Sequence, residues 1–151
     1  MVGVQENNMC EIKNYLLADY NFLDQMHDEI IDDIVVNENQ LELVFNSLHF
    51  PHTKNYKTAK IIFNDLEDAN ADAYFNIFLM DRGTIKNGYC RYIDEILPDI
   101  KKKTLKFEII DITVGYNMVM ILGKTIRENN ERRENFQLVI STKKISYIFS
   151  D

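Results

Sequence analysis

Hydrophobic and polar residues alternate with a period of two over much of this chain. Residues 24–50 show it first, where Leu41, Leu43 and Phe45 share one parity and Glu42 and Asn46 the other. Side chains on a strand point alternately to opposite faces, so this pattern predicts a half-buried strand. The preceding stretch, residues 30–36, is apolar at both parities and is interrupted by Asp32 and Asp33. It predicts a buried strand with one end in solvent. Asn37-Glu38-Asn39-Gln40 between the two supplies turn residues that tolerate left-handed backbone. Strand patterns return at 60–66, 73–80, 104–114, 116–125, 136–141 and 145–149, with the last two read as a closing hairpin. Residues 73–80 are apolar on both faces, so both faces are expected to be covered.

Two segments break this rhythm. At 8–23, Met9, Ile12, Leu16, Tyr20 and Leu23 recur at helical spacing, with Asn8 placed to cap and Glu11 three residues on. The pattern predicts an N-terminal helix lying on a sheet. Residues 81–88 read as a loop bracketed by Gly83 and Gly88. Residues 89–103 fit either a helix interrupted by Pro98 or a strand through Tyr92 followed by a helical turn begun near Pro98. Polar stretches at 65–72 and 127–135 read as exposed connections. With some eight strands and no alternating βαβ rhythm, the expected fold is α+β in one domain. Its sheet is expected to be mostly antiparallel and curved or barrel-like, with an N-terminal helix packed on it.

Composition adds limits. A chain of 151 residues suits a single domain, and 5 Gly with 2 Pro leave little room for a flexible linker. No apolar run approaches the roughly 20 residues that span a bilayer, and residues 1–15 show no leader pattern. Cys10 and Cys90 do not form a disulfide framework and are read as reduced thiols in a cytoplasmic protein. The net charge of −7 is unevenly spread: residues 1–50 carry 10 acids and 1 base, residues 101–151 carry 6 acids and 10 bases. An acidic front disfavours nucleic acid and favours a cationic partner.

Candidate chemistry is sparse. His49 and His52 stand three apart, but Pro51 between them excludes the helix that would align them, and no third metal ligand is in view. His27-Asp28-Glu29 sets a base beside carboxylates, yet neighbours along a strand point apart, so acid–base work is not expected of them. Cys10 and Cys90 read as ordinary small buried residues. Asp65, Glu67, Asp68 and Asp72 lack the ligand rhythm of a calcium loop and read as a solvated turn. Met118 and Met120 with Tyr116 read as core rather than as a pocket lining. Phosphate-loop, nucleophile-elbow, zinc-helix and dinucleotide motifs are absent. Neither a cofactor nor a metal is expected.

His27-Asp28-x-x-Ile31 leading into Leu41-x-Leu43-x-Phe45 resembles the opening of several small bacterial β-rich domains, some of them regarded as immunity proteins against bacterial toxins. The likeness is confined to that opening and transfers no catalytic residue. Together with the acidic front, the size and the absence of catalytic motifs, it points to a non-enzymatic immunity-type protein that neutralises a cationic toxin domain with that front. Asp28, Asp32, Asp33, Glu38 and Glu42 are then the expected partner-binding residues. A carrier of small apolar ligands, suggested by the aromatic and Met-rich strands, and an enzyme without a recognisable motif are the alternatives.

Overall fold

The computed structural model of the protein describes residues 11–16, 26–49, 57–128 and 133–150. Eleven strands and one helix follow in the order β1 Glu11–Leu16, β2 Ile30–Ile31, β3 Asp33–Asn37, β4 Gln40–Phe45, β5 Thr58–Asn64, β6 Ala73–Asp81, β7 Thr84–Tyr92, α1 Ile93–Lys101, β8 Leu105–Gly115, β9 Met118–Arg127, β10 Asn135–Ser141 and β11 Lys144–Ser150. They form two open antiparallel sheets, ordered β1-β11-β5-β4-β3 and β2-β8-β9-β10-β6-β7.

This corrects the expected α+β fold in three ways. The architecture is mostly β, neither sheet closes into a barrel, and the helix lies in the middle of the chain. Residues 11–16 of the predicted N-terminal helix are a strand, paired with β11 from Glu11 opposite Phe149 to Leu16 opposite Lys144. The rest of that segment lies outside the described residues. Stripe spacing at 12 and 16 suits a helix, but a backbone ladder to a distant strand outweighs a weak local preference.

The predicted parities hold where a face is buried. Leu41, Leu43, Phe45, Ile61, Phe63, Phe75, Ile77, Leu105, Phe107 and Ile109 are all buried, and both sheets contribute to one apolar cluster. The chain changes sheet four times, between β1 and β2, β2 and β3, β5 and β6, and β10 and β11. It passes from β2 to β3 at Asp32, with Ile31 and Ile34 buried on either side of the step. It crosses again between β10 and β11. Those two strands are therefore not a hairpin: β10 pairs with β9 and β6, and β11 with β1 and β5.

The six-stranded sheet is strongly curled. Two strands lie between β6 and β8, yet the Phe75 and Phe107 rings stack with centroids 4.5 Å apart, and Phe136 meets Phe107 edge-on at 4.9 Å. A flat sheet would hold those strands about 14 Å apart. A bulge between Ile109 and Asp111 on β8 sharpens the twist. Gly123, opposite Ile109 and Phe136, leaves the space that the bend needs.

Helix α1 follows β7 without a loop. The Glu95 carboxylate accepts the Tyr92 N–H at 2.9 Å, Asp94 joins it in the first turn, and Lys101 ends the last. Ile93, Ile96 and Ile100 form the buried stripe, and Pro98 is exposed. Near its end, Lys101 Nζ donates to Asp33 Oδ1 of β3 at 2.9 Å. No helix among the described residues is long and apolar enough to cross a membrane.

Candidate functional site

The five acids expected at an interface divide into two groups. Asp32, Asp33 and Glu42 are engaged within the protein. Asp32 lies at the crossover between sheets with its side chain only 12 % exposed. One oxygen accepts the Asn46 N–H at 2.8 Å and the other meets Lys106 Nζ of β8 at 3.1 Å. Asp33 accepts its neighbour Ile34 N–H and the Lys101 ammonium. Glu42 is half-buried, 3.9 Å from Lys60 Nζ on β5. The acidic front is thus partly neutralised by lysines from later in the chain. Asp28 and Glu38 face solvent. Asp28 has a positive φ of 71°, its N–H donates to the Ile109 carbonyl, and its carboxylate sits 3.0 Å from His27 Nδ1.

Glu38 belongs to a cluster that the sequence does not reveal. It lies in the β3–β4 turn, and that turn is tied by backbone bonds to the β5–β6 connection: Leu66 N–H to Asn39 carbonyl at 2.9 Å and Ala69 N–H to Glu38 carbonyl at 3.1 Å. Asn39 Nδ2 adds a bond to the Leu66 carbonyl at 2.7 Å. Leu66 and Ala69 plug into the core, so Asp65, Glu67 and Asp68 between and beside them are turned outward. Asp72 shapes the loop by accepting the N–H groups of Glu67 and Asp68. None of Glu38, Asp65, Glu67 and Asp68 has an ion-pair partner among the described residues.

Open clefts flank this loop. One of about 570 Å³ runs between it and the start of α1, lined by Asp68, Asn70, Ala71, Tyr92, Asp94 and Glu95. One of about 410 Å³ on the other side is lined by Asp65, Glu67, Asp72, Asn117, Ser141, Thr142 and Lys143. Most residues lining both are polar or charged. Met118 and Met120 line neither and are not core: Val119 and Ile121 occupy the buried parity of β9, and Tyr116 is 94 % exposed at the turn. Among the described residues no group of three or more His, Cys, Asp or Glu is placed to hold a metal ion.

Two further polar clusters were not legible from sequence. Glu29, fully buried, accepts the His49 N–H at 2.9 Å and meets His49 Nδ1 at 3.3 Å. Of His27-Asp28-Glu29, then, two residues face water and the third turns inward; His52 lies outside the described residues. At the far end of the curled sheet, Arg127 Nε donates to Glu134 at 2.7 Å and Arg127 Nη2 to the Tyr89 hydroxyl at 3.0 Å, while that hydroxyl donates to Glu134 at 3.2 Å. Arg91 lies over the Tyr89 ring at 4.6 Å. Burial and the Glu134 carboxylate raise the Tyr89 pKa above its usual value, against the pull of Arg127. Burial disfavours charged Arg127, but Glu134 and Tyr89 outweigh it and its pKa rises too. This network closes the connection read as a plain exposed loop. Cys90 is exposed and free rather than buried, because β7 is an outer strand; Cys10 lies outside the described residues.

No family model, curated protein or solved structure matches this chain.

Proposed function

We propose that this protein is a non-catalytic binding protein that receives a cationic protein on the acidic end formed by Glu38, Asp65, Glu67 and Asp68. The observation that supports this is the gathering of four outward carboxylates, without an ion pair among the described residues, by two loops locked together through their backbones. A preformed acidic surface speeds encounter with a basic partner and selects against acidic ones. An immunity-type role, in which this end covers a basic toxin domain in the cytoplasm, is the form of the reading that the short N-terminal resemblance favours. Asp28 stands apart on its own turn as a secondary contact.

The test compares the wild-type protein with a Glu38→Lys, Glu67→Lys, Asp68→Lys variant as bait in a lysate of the native cell. A basic protein retained by the first and lost from the second, with an association rate that falls as salt rises, is the expected result. Equal retention by both baits would sink the assignment of this surface.

A further inference from the structure

Tyr92, Tyr74, Val139 and Met120 stand side by side on β7, β6, β10 and β9, each paired with the next across the ladder. The pairing of β7 with β6 is regular here, since its register shift lies beyond Ile77. The row belongs to the outer face of the six-stranded sheet, because Ala73, Phe75, Leu138, Ile140, Val119 and Ile121 beside it are buried in the core. The half-exposed Tyr92 ring meets the Tyr74 ring edge-on at 6.4 Å, and Met118, one row on, is exposed as well. Residues 73–80 predict a strand covered on both faces, yet the core lies on the inner side of β6 and leaves Tyr74, Asn76 and Phe78 of the outer side partly exposed.

The two clefts beside the acidic loop border this row. Tyr92 lines the larger with Asp68, Asp94 and Glu95. Ser141, opposite Met118 and bonded through its N–H to the Asp72 carbonyl, lines the other with Asp65 and Glu67. Together the two linings hold six carboxylates and one base, Lys143. Asp68 and Asp94 have no ion pair among the described residues. An aromatic ring beside carboxylates suits a guanidinium, which stacks on the ring and pairs in plane with the acid.

We propose that this face is the apolar half of the interface with the cationic protein. An aliphatic or aromatic stretch of that partner lies on Tyr74, Val139 and Met120, and a neighbouring arginine of the partner fills the Tyr92 cleft. The proposal rests on the reading that the partner is cationic, and names what it must carry besides charge. Interfaces concentrate their energy in such apolar anchors with a polar rim. Charge complementarity along the border is the reason to name a basic protein as the occupant, and not a second copy, which brings the same excess of acid.

A phage-displayed library of random dodecapeptides, panned against the wild-type protein, tests this. The enriched peptides are expected to place arginine beside aliphatic or aromatic residues. The tightest of them, made synthetically, should bind Tyr92→Ser and Met120→Ser each about ten-fold or more weakly than wild type in fluorescence anisotropy. It should weaken too when its arginine is replaced by lysine. Thermal melts establish that the variants are folded. Where Tyr92→Ser melts early, Tyr92→Leu, which keeps apolar volume and loses the ring, takes its place and should weaken binding to a lesser degree. No enrichment, enriched peptides without basic residues, or a peptide indifferent to both substitutions would each overturn the proposal. So would a wild-type dimer in sedimentation that the two substitutions dissociate, because a second copy is then the occupant. A peptide lost on the Glu38→Lys, Glu67→Lys, Asp68→Lys variant but kept by Tyr92→Ser and Met120→Ser would sink this face and leave the acidic end standing. Loss on Tyr92→Ser and Met120→Ser alone would keep this face and remove the acidic end.

Discussion

Phe75 and Phe107 stack ring on ring across the concave face of a sheet in which two other strands separate them. Both rings are fully buried, and Phe136 packs against each of them. The contact therefore measures the curl of the sheet. Phe107→Ala removes a ring from the centre of this trio and should cost about 3–5 kcal/mol. Phe45→Ala, fully buried in the other sheet, should cost a similar amount. Urea unfolding at neutral pH checks both; a loss under about 1 kcal/mol would mean that the ring had been exposed.

Gly123 makes the curl possible. A Cβ there would run into the Glu108 carbonyl oxygen and lie 2.8 Å from the Phe136 ring. The backbone is the obstacle, so no rotamer change relieves it. Gly123→Ala is expected to destabilise by about 1–3 kcal/mol or more through forced strand separation. Gly115→Ala is the control: its Cβ would touch only Met118 Cε at 3.6 Å, an ordinary contact. That change should stay within about 0.5 kcal/mol. Equal losses in the two variants would contradict the role given to Gly123.

The pH dependence of stability should carry the mark of Tyr89. Its folded pKa lies above the ordinary 10.0 because burial and Glu134 disfavour the phenolate. Below that value the proton stays on in both states, and the full stability is present. As pH rises past it, the unfolded chain releases the proton while the folded one keeps it, so stability falls until the folded pKa is passed. Tyr89→Phe lacks the group and should lose stability less steeply in that alkaline window, the other tyrosines cancelling in the difference. At neutral pH the same change should cost about 0.5–1.5 kcal/mol for the hydroxyl's bonds to Glu134 and Arg127. Parallel alkaline slopes for the two proteins would refute the assignment.

What the sequence revealed follows from what a period of two can report. Leu41, Leu43 and Phe45 alternate because one face of β4 meets the core and the other does not. Strand β7 buries almost nothing, so its first half carries no alternation and residues 81–88 read as a loop bracketed by Gly83 and Gly88, while its second half fits a strand or a helix equally. The pattern at 136–141 and 145–149 announces two strands, but nothing local says that they enter different sheets. The acids were visible and their partners were not. Lys60, Lys101 and Lys106 lie 18, 68 and 74 residues from Glu42, Asp33 and Asp32, and only the tertiary fold brings them together. Conversely Glu38 meets the 65–72 loop through backbone bonds, which leave no trace in side-chain identity.

Substitutions at Asp32 and Glu38 should separate carboxylates that hold the fold from those available to a partner. Asp32 is nearly buried, and its two oxygens serve the Asn46 N–H and the Lys106 ammonium. Asp32→Ala leaves the Asn46 N–H and the Lys106 ammonium without their nearly buried acceptor and should cost about 1–3 kcal/mol. Asp32→Lys adds a like charge beside Lys106 and should cost more. Glu38 is exposed and contributes only its backbone carbonyl to the fold, a bond that Glu38→Lys keeps. Its stability should therefore change by no more than about 0.5 kcal/mol. Binding should respond in the opposite order. Once a cationic partner is in hand, Glu38→Lys should slow association, with most of the effect vanishing between roughly 50 and 500 mM salt as the Debye length shrinks. Asp32→Ala, measured where it is still folded, should leave the association rate close to wild type. Stopped-flow association and urea unfolding on the same two variants decide the matter. A large stability loss in Glu38→Lys, or a rate loss confined to Asp32→Ala, would reverse the division of labour drawn between them.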